Sequence, residues 1–250
     1  MMPVRFGAAS REMVGFYHPP AQARLASPAV LICNPFGQEA IRSYRMLRLL
    51  ADRLAASGCA VLRFDYFGTG DSPGDDESAS MIGWTGDVGS AHRELVARSA
   101  KASVAWVGVR LGASLCALAA QTAGPQLRHV VMWDPVILGP EYLESLGGSA
   151  SGAAIETLGF TLPDRFKNEL RNLSLLTLQP NQATGATVIL GAHNTATQQW
   201  QAALAAANAP VDWTISAAAA EWNSDKAMNT ASISADLLRL IESKVLEAAK

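Results

Sequence analysis

Histidine is the first scarcity, with four in 250 residues and none after His193. Any mechanism that draws an imidazole from the last part of the chain is thereby excluded. His18, His92 and His129 are too scattered to suggest a metal site, and no metal or cofactor is expected. Cysteine is sparse too. Cys33, Cys59 and Cys116 stand singly in apolar surroundings, without the close pairs of a zinc site or the even count of a disulfide framework, and they read as buried free thiols of a reducing compartment. An excess of charge of one sign is also missing. Twenty Lys and Arg face 22 Asp and Glu with no basic stripe, which excludes nucleic acid as a partner.

Uninterrupted apolar length is lacking as well. The stretch from Ala102 to Ala120 approaches membrane-spanning length, but Arg110 sits near its middle beside Gly108 and Gly112. A charge there costs about 3 kcal/mol on insertion scales, so the stretch reads as a buried strand plus helix and no membrane span is expected. The opening "MMPVRFGAASREM" has no apolar core of a secretory signal, and the expected location is cytoplasmic. "GTGDSPG" (68–74) lacks the third glycine of a dinucleotide fingerprint, and no Walker loop occurs. Loop geometry is the reading, with Asp65 and Asp71 as braces.

Short apolar runs alternate with longer helical patterns along most of the chain, which predicts an open, mostly parallel sheet with helices on both faces. "PVRFGA" and "EMVGFY" form an edge hairpin. Strands are expected at "AVLIC" (29–33), "AVLRF" (60–64), "SVAWV" (103–107), "HVVMW" (129–133), "ATVILGA" (186–192) and "VDWTIS" (211–216). The helix from Gln38 carries Ile41, Tyr44, Leu47, Leu50 and Leu54 on one face and ends at Gly58. Further helices are expected over 81–100, 111–123 and 232–249. Between Trp133 and Ala186 the rhythm breaks into short helical pieces and the linker "GGSASGAA". This stretch, 138–185, is read as a lid over the sheet edge within a single domain of residues 1–250.

Three motifs carry a resemblance: "NPFGQEAIRSYRML", "VLRFDYFGTGDSPG" and "VGVRLGAS...VVMWDPVILGPEYL". On these the chain resembles the α/β-hydrolase fold, in its serine-aminopeptidase-like branch, and more narrowly the hydrolases associated with exosortase A systems. The resemblance implies a G-x-S-x-G turn that lifts a serine to the top of the sheet, an oxyanion hole, and an acid and a histidine later in the chain. It also implies an ester, thioester or amide substrate class. Each triad position is changed. The turn is Gly108-Val109-Arg110-Leu111-Gly112, the acid pattern is "GAHN" with Asn194 at the acid, and the histidine region holds Glu221 and Trp222.

Arg110 at a helix N-terminus adds a cation to roughly half a positive charge already there, so an anion must answer it. Asp134 and Glu221 are the candidates within the chain. In one reading Arg110 pairs with one of them and fills the pocket. In the other, Arg110 and the N–H groups of Leu111 and Phe36 form a site for a carboxylate, phosphate or polarised carbonyl. Arg110, Asp134 and Glu221 are therefore the candidate catalytic residues, and Phe36, Leu111, Ser114, His193, Asn194 and Trp222 the candidate substrate contacts.

The leading expectation is a hydrolase-like protein that binds or transforms a small acyl-bearing or anionic molecule by Arg110 and oxyanion stabilisation. Two alternatives stand beside it. One is a weak esterase, thioesterase or acyltransferase with a relocated nucleophile such as Ser114 or Ser72. The other is a non-catalytic partner in polysaccharide or natural-product assembly, with the lid as interface; a homodimer is left open.

Overall fold

The computed structural model describes residues 1–22, 26–147, 156–157, 160–178, 184–216 and 234–247, the backbone alone at 156, 157, 160 and 161. β1 (Met2–Ala8) and β2 (Arg11–His18) form the expected antiparallel hairpin, and β2 pairs antiparallel with β4 (Ala60–Phe64). The other strands of the main sheet run parallel: β3 (Ala29–Cys33), β5 (Val104–Val109), β6 (Leu127–Trp133), β9 (Gly185–Leu190) and β10 (Val211–Ile215). Their order is β1-β2-β4-β3-β5-β6-β9-β10.

The strands read as continuous apolar runs because both faces are covered. Alternate residues supply the two sides. Val30, Ile32, Val107, Val109 and Val131 meet α1 (Gly37–Ala56) and α7 (Ala235–Glu247). Leu31, Cys33, Trp106, Val130 and Met132 meet the opposite layer, which contains α2 (Met81–Ser99), α3 (Leu111–Ala119) and α6 (Thr195–Ala206). Between β6 and β9 lie α4 (Gly139–Ser145), the short pair β7 (Glu156–Thr157) and β8 (Phe160–Thr161), and α5 (Asp164–Arg171). Cys33, Cys59 and Cys116 are buried free thiols. Among the described residues no helix is long and apolar enough to cross a membrane.

The buried stripe of α1 corrects the expected one. Leu47, Leu50 and Leu54 are buried as predicted, but Ile41 and Tyr44 are 62% and 45% exposed, and the stripe continues instead through Ser43 and Glu39. Stepping back from Leu47 by four residues at a time gives Ser43 and Glu39, as the helical repeat requires.

The chain leaves β3 toward β4 on one side, then returns to β5 on the other, so the C-terminal ends of β3 and β5 flank the point where strand order reverses. Sheets of this kind open their crevice there.

Candidate functional site

Two connections meet at that point: the turn from β5 into α3, and the loop from β3 into α1. Arg110 occupies the first with φ 52° and ψ −122°, a left-handed conformation that a non-glycine residue rarely adopts. Its neighbours must be small. A Cβ on Gly112 would lie 2.3 Å from the Asn34 carbonyl oxygen, and one on Gly108 would lie 2.5 Å from the Ala113 Cα. The Arg110 N–H donates to the Trp133 carbonyl at 2.9 Å, tying the turn to β6.

Among the described residues Glu39 is an anion that answers Arg110. Arg110 Nε donates to Glu39 Oε1 at 3.0 Å, with the two side chains 17% and 5% exposed. Tyr142 of α4 donates its hydroxyl to Glu39 Oε2 at 2.8 Å, and its ring centroid lies 5.5 Å from the Arg110 guanidinium carbon. Burial pushes the Tyr142 phenol well up, the Glu39 carboxylate adds to this and Arg110 opposes it, so the hydroxyl keeps its proton and remains a donor. The arrangement is a clasp in which one carboxylate from α1 holds a cation from the elbow and a phenol from α4.

Asp134 and Glu221 were the expected partners. Asp134 contributes its backbone carbonyl, which accepts from Arg110 Nη1 at 3.1 Å, while its carboxylate accepts the Gly191 N–H at 2.9 Å. The reason is local. Asp134 has φ 43°, and that turn carries its side chain toward the end of β9. Glu221 and Trp222 lie outside the described residues.

Ser114 is fully buried. Its hydroxyl donates to the Val136 carbonyl at 2.7 Å, which fixes it between α3 and the segment after β6 rather than in a cleft. Ser72, also buried, donates to the Asp65 carbonyl at 2.6 Å and accepts the Val14 N–H at 2.9 Å. Both serines act as structural hydrogen-bonding groups. Burial also pushes the Cys116 thiol well up and Cys59 to about 11, so neither supplies a thiolate near neutrality.

Asn194 and His193 are exposed at the start of α6. Asn194 caps this helix: its side chain accepts the Thr197 N–H at 2.8 Å, and Thr197 Oγ1 accepts the Asn194 N–H at 2.8 Å. The His193 ring lies 6.4 Å from that of Trp213. Leu111 is buried as the first residue of α3.

Phe36 ends the β3 loop and packs on Trp84 at 5.5 Å and on Phe166 of α5 at 5.2 Å. Helix α5 is thereby seated on the loop that precedes Glu39. Glu169, one turn beyond Phe166, accepts the Met81 N–H at 2.6 Å and the Ser80 hydroxyl, which anchors α5 to the N-terminus of α2.

Beside Phe36, on the side away from β5, a cleft of about 730 Å³ opens between the β3 and β4 loops. Phe36, Tyr44 and Trp84 form part of its wall, and Ile41 and Tyr44 are the α1 residues that turned out of the predicted core stripe. Asp65, Asp71, Asp75 and Asp76 also line it, with no Lys or Arg among the described lining residues. Asp65 braces the loop as expected, accepting from Asn34 Nδ2 at 3.2 Å and from the Asp71 N–H at 3.0 Å.

Neither a family model nor a curated protein matches the sequence. Solved structures do match in shape. Est1E from Butyrivibrio proteoclasticus superposes with a TM-score of 0.70 at 13% identity, over 99% of this chain and 97% of that one. A thermostable carboxyl esterase from Bacillus coagulans gives 0.72 at 10% identity, over 100% and 99%. Mouse alpha/beta hydrolase domain-containing protein 10 gives 0.64 at 17% identity, over 99% and 98%. The chain has the α/β-hydrolase fold.

Proposed function

We propose that this chain is a small-molecule-binding protein of α/β-hydrolase fold that does not carry out triad hydrolysis. The observation that carries the reading is the clasp at the elbow. Arg110 stands where the template places its nucleophile, and a guanidinium, always protonated, has no lone pair with which to attack. Glu39 and Tyr142 engage it from α1 and from the lid. No histidine follows His193 to serve as base.

The Glu39 carboxylate supplies the negative charge that the helix terminus and guanidinium demand. An anionic ligand at Arg110 would have to displace a buried carboxylate, which is costly because it strands that charge. We therefore place the ligand in the acid-lined cleft beside Phe36, and its class is an acyl-bearing molecule without negative charge. The aromatic wall offers apolar area and the aspartates accept hydrogen bonds.

Intact mass after treatment with a fluorophosphonate tests the loss of hydrolysis. No adduct is expected under conditions that label a control serine hydrolase, and an adduct on any serine overturns the reading. Thermal shift with matched ester, amide, amine and carboxylate probes tests the ligand class. Stabilisation by the carboxylates alone, lost in Arg110→Ala, would return the anion to Arg110.

A further inference from the structure

On the face of the sheet covered by α2 and α3, these two helices line a groove of about 610 Å³ over β5 that the elbow does not share. His92 lies in its floor, 6% exposed, with its ring edge-on to Trp106 at 5.5 Å and 78°. An indole N–H only donates, and Trp106 Nε1 donates to His92 Nδ1 at 3.2 Å. The proton of the neutral ring must therefore sit on Nε2. That N–H has no acceptor among the described residues and is not sealed from solvent, so an acceptor in the groove can reach it.

The groove is kept open by two glycines inside α2. A Cβ on Gly86 would meet nothing within 4 Å, and one on Gly89 would meet only Arg93 Nη1 at 3.6 Å. Glycine weakens a helix interior relative to alanine, and no packing within the described chain requires it at either position. Charge points the same way. Arg93 stands on the lining, and no Asp or Glu does among the described residues. Val96, Ala119 and Ala123 add apolar surface.

We infer that this groove binds a small carboxylic acid with an apolar tail, its carboxylate accepting from His92 Nε2–H and facing Arg93, its tail along α2 over the space that Gly86 and Gly89 leave. Such a pairing gives that donor a charge-assisted hydrogen bond.

The test uses octanoate as probe, with octan-1-ol and octylamine as its neutral and cationic counterparts, read by the His92 side-chain resonances in isotope-labelled protein. Octanoate is expected to shift the His92 Nε2 signal saturably, Arg93→Ala to weaken it several-fold, and octylamine to leave it unmoved. A Gly86→Leu/Gly89→Leu variant fills open space, so it should fold with an undiminished melting temperature and lose octanoate binding. Octanoate that leaves His92 unmoved at millimolar concentration overturns the inference. So does equal binding of all three probes, or full binding by the folded double-leucine variant.

Discussion

The elbow after β5 and the turn after β9 lie along the same edge of the sheet, and both depart from the hydrolase template, in opposite ways. At the elbow the backbone is kept and the side chain exchanged. Arg110 retains φ 52°, a conformation that costs of order 1–3 kcal/mol and persists only where the surroundings enforce it. The enforcement is visible in the backbone contacts around Gly108 and Gly112 and in the Arg110 N–H bond to Trp133. After β9 the side chain has taken a local role instead. Asn194 is extended at φ −124° and exposed, and it caps α6. At the first turn sheet packing fixes the main chain. At the second the exposed side chain serves the helix it precedes.

The largest expected effect tests the first half of this contrast. Gly112→Ala should cost upwards of about 3 kcal/mol in urea unfolding, because the atoms its methyl meets are the carbonyls of Asn34 and Cys33, which cannot swing away as a side-chain end could. A loss below about 1 kcal/mol would mean that the turn yields easily, and the contrast would fail. Glu39→Ala follows at about 3 kcal/mol, since it leaves Arg110 in a mostly buried site without this carboxylate and frees the Tyr142 hydroxyl. Glu39→Gln keeps an acceptor and should lose roughly half as much. The same unfolding curves check both: equal losses would show that charge rather than hydrogen bonding holds the clasp, and a negligible loss in Glu39→Gln would show the reverse.

How far the sequence disclosed this follows from the kind of signal each residue gives. The strands and the elbow were legible because apolar runs and a G-x-x-x-G spacing are backbone requirements written into residue type. Glu39 was not, although its signal was present: the core stripe of α1, traced back from Leu54 through Leu50, Leu47 and Ser43, arrives at it. A glutamate in a first helical turn reads as an exposed partner of the helix dipole, and only the neighbouring β5 turn reveals that it is buried. Asp134 misled for the converse reason. Its place after β6 was legible, but the turn that aims its carboxylate at Gly191 is a property of φ rather than of sequence. Tyr142 gave no usable signal, because which residue of α4 reaches the elbow depends on how that helix packs.

Acidification is the next test, since it reaches three histidines, two of them buried, without touching either turn. Burial holds the pKa values of His18, His92 and His129 below the ordinary value, helped at His18 by Arg63 and at His92 by Arg93. The unfolded chain then binds protons before the folded one. Stability is therefore full above about pH 6.5 and is lost as pH falls from there through the depressed folded values. Their hydrogen-bond partners are Asp52 and Arg63 for His18, Trp106 for His92 and Thr187 for His129. The fall in melting temperature should accordingly be the same in Glu39→Ala as in the parent protein. A smaller fall in that variant would tie these histidines to the clasp.

The smallest effect addresses the second half of the contrast. Asn194→Ala removes a cap and should cost about 1 kcal/mol, well below Glu39→Ala, because it takes away neutral hydrogen bonds at a helix start and strands no buried charge. Asn194→Asp restores the acid of the hydrolase template at this position. It should leave stability unchanged or raise it by a few tenths of a kcal/mol, since a carboxylate caps as well and suits the helix N-terminus. It should also leave ester hydrolysis at background, alone or with Arg110→Ser, because an acid needs an imidazole to orient and the chain has none after His193. Measurable turnover in the double variant would mean that a base already stands near the elbow, and the two turns would then be parts of one dormant site rather than separately rebuilt.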